Sequence, residues 1–482
     1  MAESSLKDKA TKGAIWNTID KFAYYGISFI IGIVLARLLS PVEYGLIGIV
    51  LIFTSIFNTI LDGGLSTALI RKDKVDDVDY CTVFYTNIVL SVVLSLTLFL
   101  CAPLISEFFR RPELTPYTRV MSAILIVNAL SITQQARLTK CLDFKTQTKI
   151  SIISNVLSGT VGILMAVLGY GVWALVFQQL SNRIMTTILL WFFNKWYPRL
   201  MFSWNRFKDL FDFSSKLLIS QIISSLSNQL YQAVVGRIYS PATLGQYTRA
   251  HQYVNLSSSI IGDVISKVSL PVLSEIQNED TRLINAYKLI IKITMLISCF
   301  ILLGMAACAE SLIYVLVGEQ WMECVPMMQI LCLSFVIYPM HLLNINMLLI
   351  QGRSDLNLIL QIVKNILSIG PILLGIFCGI YWMLIGSVAI SWISLILNAY
   401  YSGKKHYYTW WMQLKDVAPS FILALIMAIP VYAISFLSWS QFIILPLQIV
   451  LGVMLAIFLC ELFKRDEYLQ LKEIAMSYLK KT

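Results

Sequence analysis

Long apolar runs follow one another through the sequence, separated by short polar stretches, and most are about the 20 residues that an α-helix needs to cross a bilayer. Continuous runs predict helices, because a membrane β-barrel would show strict alternation over segments of about ten residues. Reading along the chain places spans near 14–38, 45–66, 81–105, 117–138, 150–169, 172–194, 211–236, 243–266, 286–308, 326–350, 357–378, 381–402, 417–438 and 441–463, fourteen in all. The seventh carries Ser214, Ser215, Lys216, Gln221, Asn228 and Gln229, and the eighth Gln246, Arg249, His251, Gln252 and Asn255. Polar residues in a span face a bundle interior rather than lipid. The largest loops, near 195–210, 267–285, 309–325 and 403–416, are too short for a catalytic domain, so the expected fold is a single all-α polytopic membrane protein.

Composition agrees: of 482 residues, 57% are hydrophobic and 13% charged, against about 25% charged in soluble chains. The net charge of +10 comes without a Lys/Arg block, an RNA-binding signature or zinc spacing, so no nucleic-acid partner is expected. Its distribution sets orientation instead. Twenty-six Lys and Arg fall in alternate loops, among them Lys7, Lys12, Arg71, Lys74, Arg137, Lys145, Arg199, Lys405 and Lys481, while the opposite face holds only Arg37, Arg110, Arg111 and Arg237. Cytoplasmic loops retain the excess, which puts both termini in the cytoplasm. The first apolar run exceeds a signal-peptide core and lacks a cleavage site, so it is read as a retained helix. At the other end, Tyr468, Leu471, Ala475, Tyr478 and Leu479 recur at helical spacing among lysines and predict an amphipathic tail over 464–482, either on the membrane surface or solvated.

Other residues take structural readings. The nine cysteines show no C-x-x-C spacing and read as small buried hydrophobes. His251, His341 and His406 are too few for a histidine-built metal site, and no cofactor is expected. Asp73, Asp76, Asp77 and Asp79 read as a solvated loop, and Trp196, Tyr197, Trp204, Tyr407, Tyr408, Trp410 and Trp411 as interfacial anchors.

A repeat organises the chain. Arg37-Leu-Leu-Ser-Pro41-Val-Glu-Tyr-Gly45 and Arg237-Ile-Tyr-Ser-Pro241-Ala-Thr-Leu-Gly245 share R-x-x-S-P-x-x-x-G at an offset of 200 residues. Proline restricts the turn, and glycine lets the next helix approach closely. Spans one and seven are then equivalent, which predicts six-helix lobes over 14–194 and 211–402, joined by a linker over 195–210, with helices 13 and 14 in 417–463 as an appendix to the core. Two halves related by an axis along the membrane normal are a recurrent transporter design.

Asp62-Gly-Gly-Leu-Ser-Thr-Ala-Leu-Ile-Arg71, Phe144-Lys145, Gly169-Tyr-Gly-Val-Trp173, Leu244-Gly-Gln-Tyr247, Pro271-Val-Leu-Ser-Glu-Ile-Gln277, Gly318-Glu-Gln-Trp321 and Gln351-Gly-Arg353, in this order, resemble the polysaccharide-transporter branch of the MOP exporter superfamily. The resemblance spans roughly residues 12 to 400 and implies a Wzx-type flippase in the bacterial inner membrane. Such a protein moves undecaprenyl-pyrophosphate-linked oligosaccharide units of O-antigen, capsule or exopolysaccharide between leaflets, and the resemblance implies a polysaccharide polymerase and chain-length proteins as partners. A MATE-like cation-coupled exporter shares the implied fold, but the in-span charge of this chain is mainly positive. A glycosyltransferase or polymerase would need a large outer loop or an acidic metal cluster, so no enzyme is expected.

Charge inside a span costs several kcal/mol unless water or a counter-ion surrounds it. Seven cations lie there, Lys21, Arg119, Arg183, Lys216, Arg249, Lys292 and Lys364, against Asp20, Asp62 and Asp263. The imbalance calls for an anionic ligand or a hydrated cavity, and pyrophosphate suits both the Arg fork and the mobile Lys charge. Arg249, with His251 and Asn255 on one span, leads the substrate-binding candidates, followed by Lys21, Arg183, Lys364, Lys216 and Lys292. Snorkelling is the competing account for cations near span ends. Asp62, before Gly63-Gly64, and Asp263 are candidates for proton or sodium coupling, with a simple helix kink as the alternative at Asp62.

The charge distribution yields a labelling prediction. A single cysteine at position 320 should react with an impermeant thiol reagent from outside the cell, and one at position 75 should be protected; the reverse pattern would invert the topology.

Overall fold

Lipid offers the backbone no hydrogen-bonding partner, so the chain satisfies its own N–H and C=O groups in helices, and no strand occurs among the described residues. The computed structural model describes residues 2–73, 75–404 and 408–479. Lys74, Lys405, His406, Tyr407, Lys480 and Lys481 lie outside them. The chain forms two compact units, Met1–Gly245 and Gln246–Thr482.

The first unit contains α1 (Ala2–Leu38), α2 (Pro41–Asp62), α3 (Leu65–Arg71), α4 (Asp77–Phe109), α5 (Leu114–Lys140), α6 (Phe144–Val167), α7 (Val172–Asn194) and α8 (Trp204–Ile238). Helix α9 (Pro241–Glu275) runs across the division. The second unit holds α10 (Asp280–Ala307), α11 (Ala309–Val317), α12 (Cys324–Phe335), α13 (Tyr338–Ile350), α14 (Ser354–Leu367), α15 (Ile369–Cys378), α16 (Ile380–Gly403), α17 (Trp410–Ala433), α18 (Gln441–Leu462) and α19 (Asp466–Leu479). The unit boundary thus falls beyond the 195–210 linker, because α8 packs with α2, α3 and α4.

Ten stretches among the described residues are long and apolar enough to cross a membrane. Their outward faces need lipid. Along α4, Val89, Val93, Leu96, Leu100 and Leu104 are all more than half exposed at helical spacing, a stripe that water would not tolerate. Helices α5, α7, α8 and α9 have crossing length, 27, 23, 35 and 35 residues, but their polar positions lower their hydropathy below that of the ten.

Several spans are interrupted. Gly63 and Gly64 take φ of 54° and 70°, the left-handed region that glycine enters without a Cβ penalty, and they end α2 and reset the direction of α3. The spans expected over 326–350 and 357–378 are the broken pairs α12–α13 and α14–α15. The loop expected over 309–325 is corrected: it contains α11, with Ala309, Ile313 and Val317 buried along one face, and a 3₁₀ turn whose Trp321 is fully buried.

The two repeat motifs meet each other. Ser40 and Ser240 begin α2 and α9, each followed by proline in the first helical position. The backbone N–H of Ser40 donates to Glu43 Oε2 at 2.6 Å, and the Thr243 N–H donates to Ser240 Oγ at 3.1 Å. A Cβ on Gly45 would lie 1.8 Å from the Pro241 carbonyl oxygen, and one on Gly245 would lie 1.9 Å from that of Pro41. The close approach is therefore reciprocal: each motif supplies the glycine that admits the other's proline carbonyl.

Three surface expectations also change. Asp79 is fully buried, because Lys72 Nζ sits 2.7 Å from its carboxylate and Arg206 Nε 3.8 Å away, so the acidic run is not wholly solvated. Trp196 is buried, edge-on to Tyr80 at 5.9 Å, and donates from Nε1 to Asp77. Tyr408 is buried and donates to Asp416 at 2.8 Å. These two rings are core packing rather than interfacial anchors. Six of the cysteines are buried, Cys101 is half-buried, and Cys141 and Cys378 are exposed.

Inside the second unit, buried Asn344 joins four helices. It accepts from Tyr287 at 3.0 Å and from Ser402, and donates to Met340 O at 2.8 Å and Gln413 Oε1 at 3.1 Å. A fully partnered buried network of this kind fixes helix register.

The reciprocal glycine contact gives a stability prediction. Gly45→Val should destabilise the protein by roughly 1–3 kcal/mol through overpacking, seen as a lower melting temperature in detergent, whereas Gly26→Val, with nothing near its Cβ position, should change it little. Equal melting temperatures for Gly45→Val and the parent would remove the contact from the stability of the fold.

Candidate functional site

A polar cavity of about 570 Å³ opens within the first unit. It is assembled from stripes that recur at helical spacing on otherwise apolar helices. Helix α2 contributes Thr54, Asn58 and Asp62; α5 contributes Asn128, Ser131 and Gln135; α7 contributes Gln179 and Arg183; α8 contributes Gln229 and Gln232. Each set is spaced three or four residues apart, so each helix turns one wet face inward and leaves the rest to packing and lipid.

Amides dominate the lining, and they are positioned by one another. Asn128 Nδ2 donates to Asn58 Oδ1 at 2.6 Å, and Asn58 Nδ2 donates to the Thr54 carbonyl at 2.8 Å. Thr59 donates to Ser225 Oγ at 3.3 Å, tying α2 to α8 beside the cavity. Ser66 donates to Asp62, orienting its carboxylate at the Gly63-Gly64 break.

Arg183 lines this cavity and also a smaller one of about 200 Å³, whose walls include Asp20, Gln147, Ser151 and Asn182. Gln135 is likewise common to both. Among the described residues Arg183 is exposed and has no ion-pair partner. A forked cation, six amides and several hydroxyls around open space can bind an anion and a polyhydroxylated group together.

The other candidates are distributed differently. Arg249 is 3% exposed in the second unit, with its Cζ 5.4 Å from the Trp321 ring and 5.7 Å from that of Tyr253, while Nη1 donates to Gln252 Oε1 at 3.0 Å. His251 packs between Tyr247 and Phe335, with centroids at 5.9 and 5.5 Å, and exposed Asn255 accepts from Ser259. Lys292 Nζ lies 3.7 Å from Asp416 and 4.0 Å from Glu467, so carboxylates within the same unit already neutralise it. Arg119 stacks on Phe99 at 4.9 Å. Lys21 and Lys364 are half-buried on α1 and α14 and line neither cavity, and Asp263 is half-buried on α9. The side chain of Lys216 lies outside the described ones. The structure therefore brings Arg183 and Asp62 to one cavity of the first unit.

Asn58, Asn128, Gln135, Gln179 and Gln232 did not stand out in the sequence, because an uncharged amide in an apolar run carries no charge signal. Their signal was present: positions 54, 58 and 62, then 128, 131 and 135, are polar stripes inside long apolar runs.

Comparisons with known proteins follow the same direction. The profile of the family described as polysaccharide biosynthesis protein matches residues 34–326. The teichuronic acid biosynthesis protein TuaB of Bacillus subtilis is 26% identical over 355 residues, 73% of each chain. The lipopolysaccharide biosynthesis protein WzxC of Escherichia coli is 25% identical over 404 residues, 82% of this chain and 81% of that one. Among solved structures, the lipid II flippase MurJ in an inward closed conformation superposes with a TM-score of 0.77 at 13% identity, over 93% of this chain and 98% of the other. An inward-facing MATE multidrug transporter of the MOP superfamily gives 0.60 at 16% identity, over 82% and 98%. These two likenesses concern the fold.

The stripe geometry predicts a hydrated cavity. In a cysteine-free background, cysteines placed at Gln179 and Gln229 should react with a small hydrophilic thiol reagent, and cysteines at Leu100 and Val450, exposed on the apolar outer surface, should not. Equal reactivity at the two pairs would mean that the polar faces do not enclose water.

Proposed function

Because the chain belongs to the family of polysaccharide biosynthesis proteins, whose profile covers residues 34–326, we propose that it moves a lipid-linked oligosaccharide across a bacterial cytoplasmic membrane. The substrate is an undecaprenyl-pyrophosphate-linked repeat unit of O-antigen, capsule or exopolysaccharide, and the process is alternating access without bond making or breaking. The observation that carries the reading is the amide- and hydroxyl-lined cavity with unpaired Arg183 at its edge. Sugar hydroxyls both donate and accept, and so do amide side chains, which allows one cavity to hold varied sugars without desolvation loss. Arg183 meets the pyrophosphate as a bidentate donor, and its charge, held in no ion pair among the described residues, is offset when substrate arrives.

In this reading α2–α3, α12–α13 and α14–α15 each cross once, which with the remaining long helices makes fourteen crossings. Residues 14–194 and 211–402 form the two repeats, and the charge distribution favours cytoplasmic termini. Asp62, at the helix break and inside the cavity, is the group through which a proton or sodium ion couples to transport. A polymerase and chain-length proteins are proposed to take the product on the far side.

Reconstituted protein and a defined lipid-linked oligosaccharide test the proposal. Arg183→Ala should lower the rate about ten- to hundredfold, the scale of a lost hydrogen bond to a charged group of ~1.5–3 kcal/mol. Arg183→Lys should recover part of it, since the charge remains without the fork. Asp62→Asn should abolish stimulation by an ion gradient. Transport by Arg183→Ala at the parental rate would remove Arg183 from the site.

A further inference from the structure

A second cavity in the first unit, of about 490 Å³, has the opposite chemistry. It lies between the α2–α3 break, the start of α4 and the start of α8, and apart from Thr86 its walls are apolar or aromatic. Tyr85, Val89 and Val93 recur every fourth residue on α4, a strip about 12 Å long at 1.5 Å per residue. Facing them, Trp204, Phe207 and Phe211 form an aromatic ladder on α8, with successive centroids 5.2 and 5.4 Å apart. These surfaces are left open: Val89 is 66% exposed and Trp204 67%.

The two cavities share one wall. Asn58 and Asp62 line the polar cavity, while Ile60, Gly63 and Leu65 of the same segment line the apolar one, so adjacent residues Asp62 and Gly63 serve opposite chemistries. The segment that carries Phe202 and Trp204 also exposes Lys195, Arg199 and Lys208, together with Asp209 and Asp212. Polar and apolar cavities divided by one helix break fit an amphiphile whose two ends differ as sharply as the cavities do. An ordinary phospholipid, whose headgroup rests at the interface, has no use for the polar half.

We infer that the apolar groove between α2–α3, α4 and α8 binds the first isoprene units of the polyprenyl carrier while its pyrophosphate-linked saccharide occupies the polar cavity. This rests on the transport reading and adds to it a binding site for the carrier chain. Packing of the chain against the aromatic ladder, by van der Waals contact rather than by removal from water, then contributes affinity shared by all substrates on that carrier and leaves sugar recognition to the amides.

The test uses the full chain in phosphatidylglycerol-containing nanodiscs with a diazirine-bearing polyprenyl pyrophosphate. Photolabelling should map to residues 85–93 and 204–218 and be competed by undecaprenyl pyrophosphate but not by an equal excess of added phosphatidylglycerol. Val89→Trp and Val93→Trp fill exposed positions with little effect on folding, checked by melting temperature, and should each reduce labelling at least fivefold. Labelling elsewhere, equal competition by phosphatidylglycerol, or unchanged labelling in both variants would overturn the groove. Saccharide transport is measured on the same protein in liposomes: groove labelling without transport would uphold the groove and discard the transport reading, and transport without groove labelling would do the reverse.

Discussion

The low dielectric of the lipid core is the constraint from which the rest follows. A peptide group there has no solvent to bond with, so each span closes its own hydrogen bonds as a helix, and each polar side chain must find protein or trapped water. The polar stripes of α2, α5, α7 and α8 are therefore costly on any outward face and stable only turned toward each other. The cavity is less an opening cut into a bundle than the place where these faces are obliged to meet. The same pressure acts on buried Asn344, which joins four helices because each of its amide atoms has a partner there.

Departures from regular helix occur where that constraint can be met locally. At Gly63 the N–H turns back to the Thr59 carbonyl at 3.3 Å, and Lys140 donates to the carbonyls of Leu69, Ile70 and Lys72 at the end of α3. The C-terminal ends of α2 and α3 are thus both capped on either side of the break between the polar and apolar cavities. The reciprocal fit of Gly45 under Pro241 and Gly245 under Pro41 is a second local device, since only hydrogen at Cα permits backbones to approach so far.

Charge is handled residue by residue. Lys292 is compensated by Asp416 and Glu467, Arg119 lies over an aromatic face, and Arg249 is enclosed beside Trp321. Asp79 holds Lys72 and Arg206 where α3, α4 and α8 converge. Arg183 is exposed to two cavities and has no ion-pair partner among the described residues.

The sequence by itself determined the helical class, the presence of many membrane-crossing helices and the proline–glycine turns, because hydrophobic length and backbone chemistry are local properties that need no partner. The motifs pointing to a polysaccharide transporter were legible for the same reason. It placed Arg249 ahead of Arg183 and Lys292, with nothing but position and chain neighbours along an apolar run to rank one cation against another. It also treated Trp196 and Tyr408 as surface anchors. Those differences depend on which residues distant in sequence come to stand opposite: Trp321 over Arg249, Asp416 beside Lys292, and open space before Arg183. Only tertiary packing decides whether a charge is enclosed, paired or available, because in a low dielectric the energy of a charge is set by its neighbours within a few ångströms rather than by its place in the chain.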